Sequence, residues 1–277
     1  MNSINIYLAH RSDTKFMEQQ VNLIRKYFKH SSNSKLCIYG FVDCPNNPKL
    51  MHDIWKSLDV IPIIIPQEIN GVNRSNMSPS DSFGYAFEYV YINYILKDNY
   101  ISVFLENDVF PFKDIDIEKY VDNYEICGEV RFNAKFLPVR INHFWLGFII
   151  FNHKEMTDRD KFSGLRMDVK PYGINKTYWT DCGAKSYYWI TEKQRKIRQM
   201  VTNGNEDYDG FTSLECTPHN ITTDVENLPD LFREKYDPNY RVLIYDDCLL
   251  HLERMGKEAQ SNKFNWWLNC YNKIIKK

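Results

Sequence analysis

A chain of 277 residues can bury a sizeable core but is short for two full enzymatic domains, so one α/β domain with a less regular C-terminal part is expected. Lysine and arginine number 35 against 36 aspartates and glutamates, a net charge of −1 that gives no global field for nucleic acid or an anionic membrane. The seven cysteines, at 37, 44, 127, 182, 216, 248 and 270, are scattered and lack any C-x-x-C pair, which argues against a zinc module or a disulfide framework and fits a reducing, cytoplasmic compartment.

In chain order, Ile4 to Leu8 reads as a first strand, Ser12-Asp13 as a helix cap, and Met17, Val21, Ile24 and Phe28 as the apolar stripe of a first helix. Leu36 to Phe41 is a second strand. Pro48 to Leu58 is a second helix with Leu50, Met51, Ile54, Trp55 and Leu58 on its apolar side. Val60 to Ile65 is extended, and Pro62 demotes it to an edge. After a long polar loop from Gln67 to Pro79, Ser80-Asp81-Ser82 caps a helix whose Phe83, Phe87, Val90, Tyr91 and Tyr94 face the core. This alternation predicts a mostly parallel sheet flanked by helices up to residue 112, the first half of a single domain over 1–277.

Tyr100 to Phe112 is the focal stretch. An apolar, β-branched and aromatic run reads as a buried central strand, and it delivers Glu106, Asn107 and Asp108 to the strand's C-terminal end, where open α/β sheets bind ligands. In extended backbone Glu106 and Asp108 share a face, and two converging carboxylates suit a hard divalent cation; a merely polar loop is the competing explanation. Pro111 is expected to stop the strand.

Beyond Phe112 the pattern loosens, with strands expected at Glu125 to Val130, Phe144 to Phe151 and Arg241 to Tyr245. Gly204 to Gly210 is an acidic loop without EF-hand spacing and reads as a solvated turn. Lys193, Arg195, Lys196 and Arg198 read as the exposed face of a helix. The amphipathic end, Trp266 to Ile275 with flanking lysines, either packs back on the domain or makes peripheral membrane contact. The longest apolar run, Phe144 to Phe151, is too short to span a bilayer.

Five segments in this order resemble the GT-A (Rossmann-like) nucleotide-sugar glycosyltransferases of bacterial and large-virus genomes: Ser82-Phe83-Gly84, Glu106 to Pro111, Phe144-Trp145-Leu146-Gly147-Phe148 to Asn152, Trp179 to Gly183, and Leu250-His251-Leu252. They span most of the chain, and their order carries the likeness more than any single motif. The resemblance implies a D-x-D-like metal motif in Glu106-Asn107-Asp108, with Glu106 departing from the family's first aspartate, and His251 completing the shell around Mn²⁺ or Mg²⁺. It implies a nucleoside-diphosphate sugar donor, a UDP- or GDP-sugar carrying a hexose or pentose, and a glycan hydroxyl as acceptor. His10 and Arg11 would meet base, ribose or phosphate, Ser82 and Gly84 would offer a helix N-terminus to the donor, and Trp145 and Gly147 would line the acceptor cleft. Were the transfer inverting, Asp181 would be its general base or would hold a donor-sugar hydroxyl; a retaining transfer would need no such base.

For each residue an ordinary role competes: Ser82 as a helix cap, Arg11 in a surface ion pair, His251 held in a short strand, Asp181 turning the chain before Gly183. Two other function classes stay open, a non-catalytic nucleotide- or carbohydrate-binding module on the same fold and a metal-dependent phosphohydrolase or nucleotidyltransferase. The absence of a Walker loop or a strong basic patch counts against the last.

Overall fold

The computed structural model describes residues 2–11, 14, 16–42, 48–69, 71–132, 141–170, 178–180, 182–201, 228–237, 240, 242–252 and 260–276. The first half runs β1 (Asn2–His10), α1 (Met17–Tyr27), β2 (Phe28–Lys29), β3 (Ser34–Val42), α2 (Pro48–Ser57), β4 (Ile61–Ile63), β5 (Glu68–Ile69), β6 (Val72–Asn73), α3 (Pro79–Asn93) and β7 (Ile101–Glu106). The second half runs β8 (Val109–Pro111), β9 (Ile115–Asp116), α4 (Ile117–Tyr120), β10 (Ile126–Phe132), β11 (Asn142–Asn152), β12 (Asp168–Val169), β13 (Tyr178–Trp179), α5 (Ser186–Glu192), β14 (Ile197–Gln199), α6 (Asp230–Arg233), β15 (Val242–Tyr245), β16 (Leu249–Leu252) and α7 (Gln260–Lys276).

The main sheet has the order β14-β10-β11-β7-β1-β3-β4. Pairs β14/β10, β7/β1, β1/β3 and β3/β4 are parallel and the two flanking β11 are antiparallel, so the sheet is mixed but mostly parallel. Strands from beyond residue 112 complete it, so the sheet is continuous across the two halves of the chain. Period-two alternation sorts the strand side chains into two layers. Ile4, Ile6 and Leu8 of β1 and Val103 and Leu105 of β7 join Met17, Val21 and Ile24 of α1 and Met51 and Trp55 of α2. On the opposite face Tyr7, Ala9 and Phe104 meet Phe83, Phe87, Val90 and Tyr91 of α3. Both faces being covered is why these strands are mainly apolar, with Asn5 and Ser102 among the buried polar exceptions. Pro62 sits on β4, paired only with β3 at the sheet's edge.

A second, three-stranded sheet β15-β16-β8 carries a third core, in which Phe110, Ile244, Leu250 and Leu252 pack with Trp266, Trp267, Cys270 and Ile274 of α7. The apolar side of α7 is therefore buried against the domain and is not available to a membrane. Each such side chain contributes roughly 1.5–3 kcal/mol on burial. No helix among the described residues is long and apolar enough to cross a bilayer.

Several expectations are corrected. Helix α1 starts at Met17 with Phe16 at its N-cap and no side-chain cap, while Ser12-Asp13 lies outside the described residues, as does the acidic loop Gly204 to Gly210. Leu50 is exposed at 57%, so the buried side of α2 is Met51 and Trp55, with Ile54 and Leu58 half-buried. The cap of α3 is Ser78, two residues earlier than Ser80: its hydroxyl oxygen accepts from the Asp81 N–H at 3.2 Å, and Pro79 stands in the first turn. The central strand ends at Glu106; Pro111 ends β8.

The basic stretch is not a helix face. Ile197–Gln199 is strand β14, and the Arg195 side chain is only 1% exposed. Its guanidinium donates to both Asp158 carboxylate oxygens at 2.8 and 3.0 Å and lies 3.8 Å from the Trp189 ring centroid. Spacing of charges alone could not distinguish a solvated face from a buried ion pair.

That pair makes a pH prediction. The Arg195 hydrogen bond, opposed by burial and aided by Lys193, lowers the Asp158 carboxyl pKa from 3.8 to about 2. A carboxyl depressed in the folded state contributes stability above pH 4 that is lost as pH falls toward 2. Melting curves followed by circular dichroism should therefore show Asp158→Asn less stable at neutral pH, with a smaller loss of Tm than the parent between pH 5 and pH 2.5. Equal slopes for the two proteins would refute the assignment.

Candidate metal centre

Strand β7 is held in register on β1, with Ala9 opposite Glu106, so the end of the central strand is fixed. Asn107 and Asp108 then form a turn, and the chain leaves the main sheet as β8. Glu106 and Asp108 are thus brought together by a turn rather than by alternation along one strand, as the sequence had suggested. Strand β16 pairs antiparallel with β8, His251 opposite Val109, and the Leu252 N–H donates to the Asp108 carbonyl at 2.9 Å. This pairing carries His251 to the acidic turn from the far end of the chain.

Glu106, Asp108 and His251 each offer one ligand atom, and these atoms lie within 4.8 Å of one another. His251 is 6% exposed, and its Nε2 stands 3.7 Å from Asp108 Oδ1. Both Asp108 Oδ1 and His251 Nδ1 are shielded from solvent and have no hydrogen-bond partner among the described residues. A buried polar atom left so costs about 1–3 kcal/mol, so the cluster has donor capacity that the protein itself does not use. Two carboxylate oxygens and an imidazole nitrogen are a donor set that fits Mn²⁺, and also Mg²⁺.

Behind His251 stands an aromatic wall. The Trp145 ring lies 4.6 Å from His251 and stacks on Tyr245 at 5.3 Å and 21°. The Arg131 guanidinium sits 4.4 Å from the Trp145 centroid and donates from Nε to Glu129 at 2.7 Å. The Tyr245 hydroxyl donates to the same Glu129 carboxylate at 3.1 Å. The register shift between Gly128 and Val130 places Glu129 at a β-bulge, a device that re-aims a side chain. Glu129, Arg131 and Tyr245 belong to no motif; two charges inside an otherwise apolar strand are the signal the sequence offers for them.

The remaining expected site residues divide. Asn107 lies half-buried in the acidic turn. Arg11 is exposed just past β1. His10 is 0% exposed, with its ring edge-on to Trp55 and its Nε2 2.8 Å from Gln20 Oε1, so it is not placed to touch a nucleotide. Ser82 is buried within α3, its N–H already bonded to the Ser78 carbonyl at 2.9 Å, so it offers no free helix-terminal donor. Gly84 is buried in the same helix and faces Cys182 and the Gly164 carbonyl. Trp145 is 8% exposed and serves as the wall behind His251. Asp181 lies outside the described residues. A cavity of about 500 Å³ along α7, lined by Asn265, Trp266, Asn269 and Lys273 among others, shares no residue with the cluster and, among the described residues, holds no set of metal-ligating groups.

No family model and no curated protein matches the sequence. Among solved structures, the glycosyltransferase GlyE of Streptococcus pneumoniae TIGR4 aligns over 100% of this chain and 63% of its own, at 12% identity and a TM-score of 0.39. The galactosyltransferase LgtC, in complex with donor and acceptor sugar analogs, aligns over 57% of this chain and 62% of its own at 10% identity and 0.34. The bifunctional glycosyltransferase WbbM aligns over 59% of this chain but 34% of its own, at 13% identity and 0.36. The chain thus spans about a third to two thirds of the length of these structures. Likenesses this loose carry no argument about the site.

Gly147 has a role different from the one expected. A Cβ there would fall 1.8–2.3 Å from three atoms of the Trp145 ring, which cannot retreat because Tyr245, His251 and Arg131 surround it. Gly147→Ala should therefore cost roughly 1–3 kcal/mol of stability, measurable by urea denaturation, and should disturb Trp145 before any other residue. An unchanged denaturation midpoint would show that the wall is not tightly packed.

Proposed function

We propose that this chain is a metal-dependent glycosyltransferase that moves a sugar from a nucleoside diphosphate to a hydroxyl of a glycan acceptor. The observation that carries the reading is the convergence of Glu106, Asp108 and His251 at the C-terminal end of the central strand, with a buried Asp108 oxygen that has no hydrogen-bond partner among the described residues. Ligands of open α/β sheets bind at that edge.

In this reading Asp108 and His251 hold the cation directly, and Glu106 does so directly or through its hydration shell. A divalent cation bound there would neutralise charge that develops on a leaving diphosphate without proton transfer. The protein's own part is to fix the three ligands and keep water from the rear of the site. The Trp145 and Tyr245 rings do the latter. Arg131 and Glu129 neutralise each other, which leaves the two acidic ligands as the local charge that attracts a cation. Asp181 remains our proposed base for the acceptor hydroxyl, and Arg11, exposed beside the strand end, our proposed contact for the nucleotide.

The test is a thermal shift with UDP- and GDP-sugars, with and without Mn²⁺, paired with an assay for released nucleoside diphosphate. Binding to the folded state at a hundred times Kd adds about 2.7 kcal/mol, so a metal-dependent rise in Tm with one donor is the expected result. Asp108→Asn should abolish the metal-dependent part and reduce turnover on the order of a hundredfold or more. A shift without turnover would favour a binding module. No metal-dependent shift with any donor would overturn the reading.

A further inference from the structure

Helix α1 presents one polar side chain to the core. Gln20 is 0% exposed and lies on the same buried stripe as Met17, Val21 and Ile24. Its Nε2 donates to the Glu106 carbonyl at 2.6 Å and to the Val109 carbonyl at 2.9 Å. One amide group thereby grips the chain on both sides of the Asn107-Asp108 turn. With both Nε2 hydrogens engaged, Oε1 accepts from His10 Nε2 at 2.8 Å, which requires the His10 proton to be on that nitrogen. The His10 ring is held in turn by Trp55, edge-on at 4.8 Å.

The geometry assigns Gln20 as the positioning residue of the acidic turn, with His10 as the residue that orients Gln20. The assignment rests on the metal-dependent reading of Glu106, Asp108 and His251. The effect of Gln20 and His10 passes through the backbone that carries Glu106 and Asp108, because the Gln20 amide is bonded to the Glu106 and Val109 carbonyls and to His10. A turn only two residues long has little freedom once the carbonyls at its two ends share one donor group. The amide thus sets the spacing between the carboxylates before any cation arrives. Pre-set ligands bind more tightly because the cation does not have to order them, and partners one shell out from a metal commonly change affinity 10- to 100-fold when removed.

The experiment titrates the full chain with Mn²⁺, with and without UDP, following the electron paramagnetic resonance signal of the free ion. Gln20→Met keeps the length and volume of the side chain while removing all three hydrogen bonds. It should weaken Mn²⁺ binding by about tenfold or more at a temperature where circular dichroism shows the protein folded. Gln20→Asn is the second variant, should the first not fold: the amide chemistry stays, but the shorter arm cannot reach both carbonyls, and a similar loss is expected. Val90→Ala, which destabilises the core under α3, is the control and should leave Mn²⁺ affinity unchanged. Parent-like affinity in both folded Gln20 variants would overturn the assignment while leaving the metal site standing. So would an equal loss in Val90→Ala, because general destabilisation would then explain the effect. If the parent chain binds no Mn²⁺ with or without UDP, the metal reading itself falls, and the assignment with it.

Discussion

The pairing of β16 with β8 is the constraint on which the site depends. Both strands are short, and a one-residue slip would turn every side chain of β16 to the opposite face, removing His251 from Asp108 and presenting a leucine in its place. Three backbone partners would hold such a register weakly on their own. It is fixed by the other face, where Leu250 and Leu252 are buried with Phe110 and the tryptophans of α7. The C-terminal helix therefore acts on the candidate metal centre at one remove: its packing selects the register, and the register aims the histidine. The amphipathic end packs back on the domain, the first of the two uses its sequence allows, and there it acts as an internal clamp.

A second constraint is electrostatic. The candidate metal centre has a buried arginine close by, with Arg131 8% exposed beside Trp145. Left alone, such a charge would oppose cation binding and would be costly to bury. Glu129 resolves both problems by pairing with it, and the bulge in β10 is what lets a residue of a buried strand turn toward that partner. The pair then adds no net charge, and the guanidinium is left to support the Trp145 ring. Gly147 completes the arrangement by leaving out the one methyl group that would displace that ring.

Much of the fold was legible because it follows from periodicity. Mainly apolar strands separated by helical stripes require a covered, mostly parallel sheet, and the edge role of Pro62 follows from its missing N–H. The acidic turn and His251 could be named from their residue types and order, though not why they meet, since a turn and a distant strand pairing are invisible to local patterns. His10 shows the opposite failure. A histidine at the end of a central strand suggests a ligand contact, yet Gln20, a polar residue within the apolar stripe of the next helix, buries it as a partner. A polar residue among the periodic apolar positions was the signal, and it pointed to the pair. Arg195 fails for a similar reason, because its partner Asp158 lies in a different segment of the chain.

Glu106 is where the chain departs from the pattern it resembles, and its surroundings say what the departure does. Its backbone is fixed by β1 on one side and by the Gln20 amide on its carbonyl, so the extra methylene cannot be absorbed by moving the strand. The longer arm has to be accommodated by the side chain alone; in our reading it either folds back to reach the same cation as Asp108 or meets that cation's water shell. Asp108, on a shorter arm with a buried and unpartnered oxygen, has no such choice. The two carboxylates are therefore unequal. In our reading Asp108 and His251 form the rigid part of the metal site and Glu106 the adjustable part, which favours a cation that tolerates one variable oxygen ligand beside an imidazole, as Mn²⁺ does better than Mg²⁺ with its demand for near-ideal octahedral geometry.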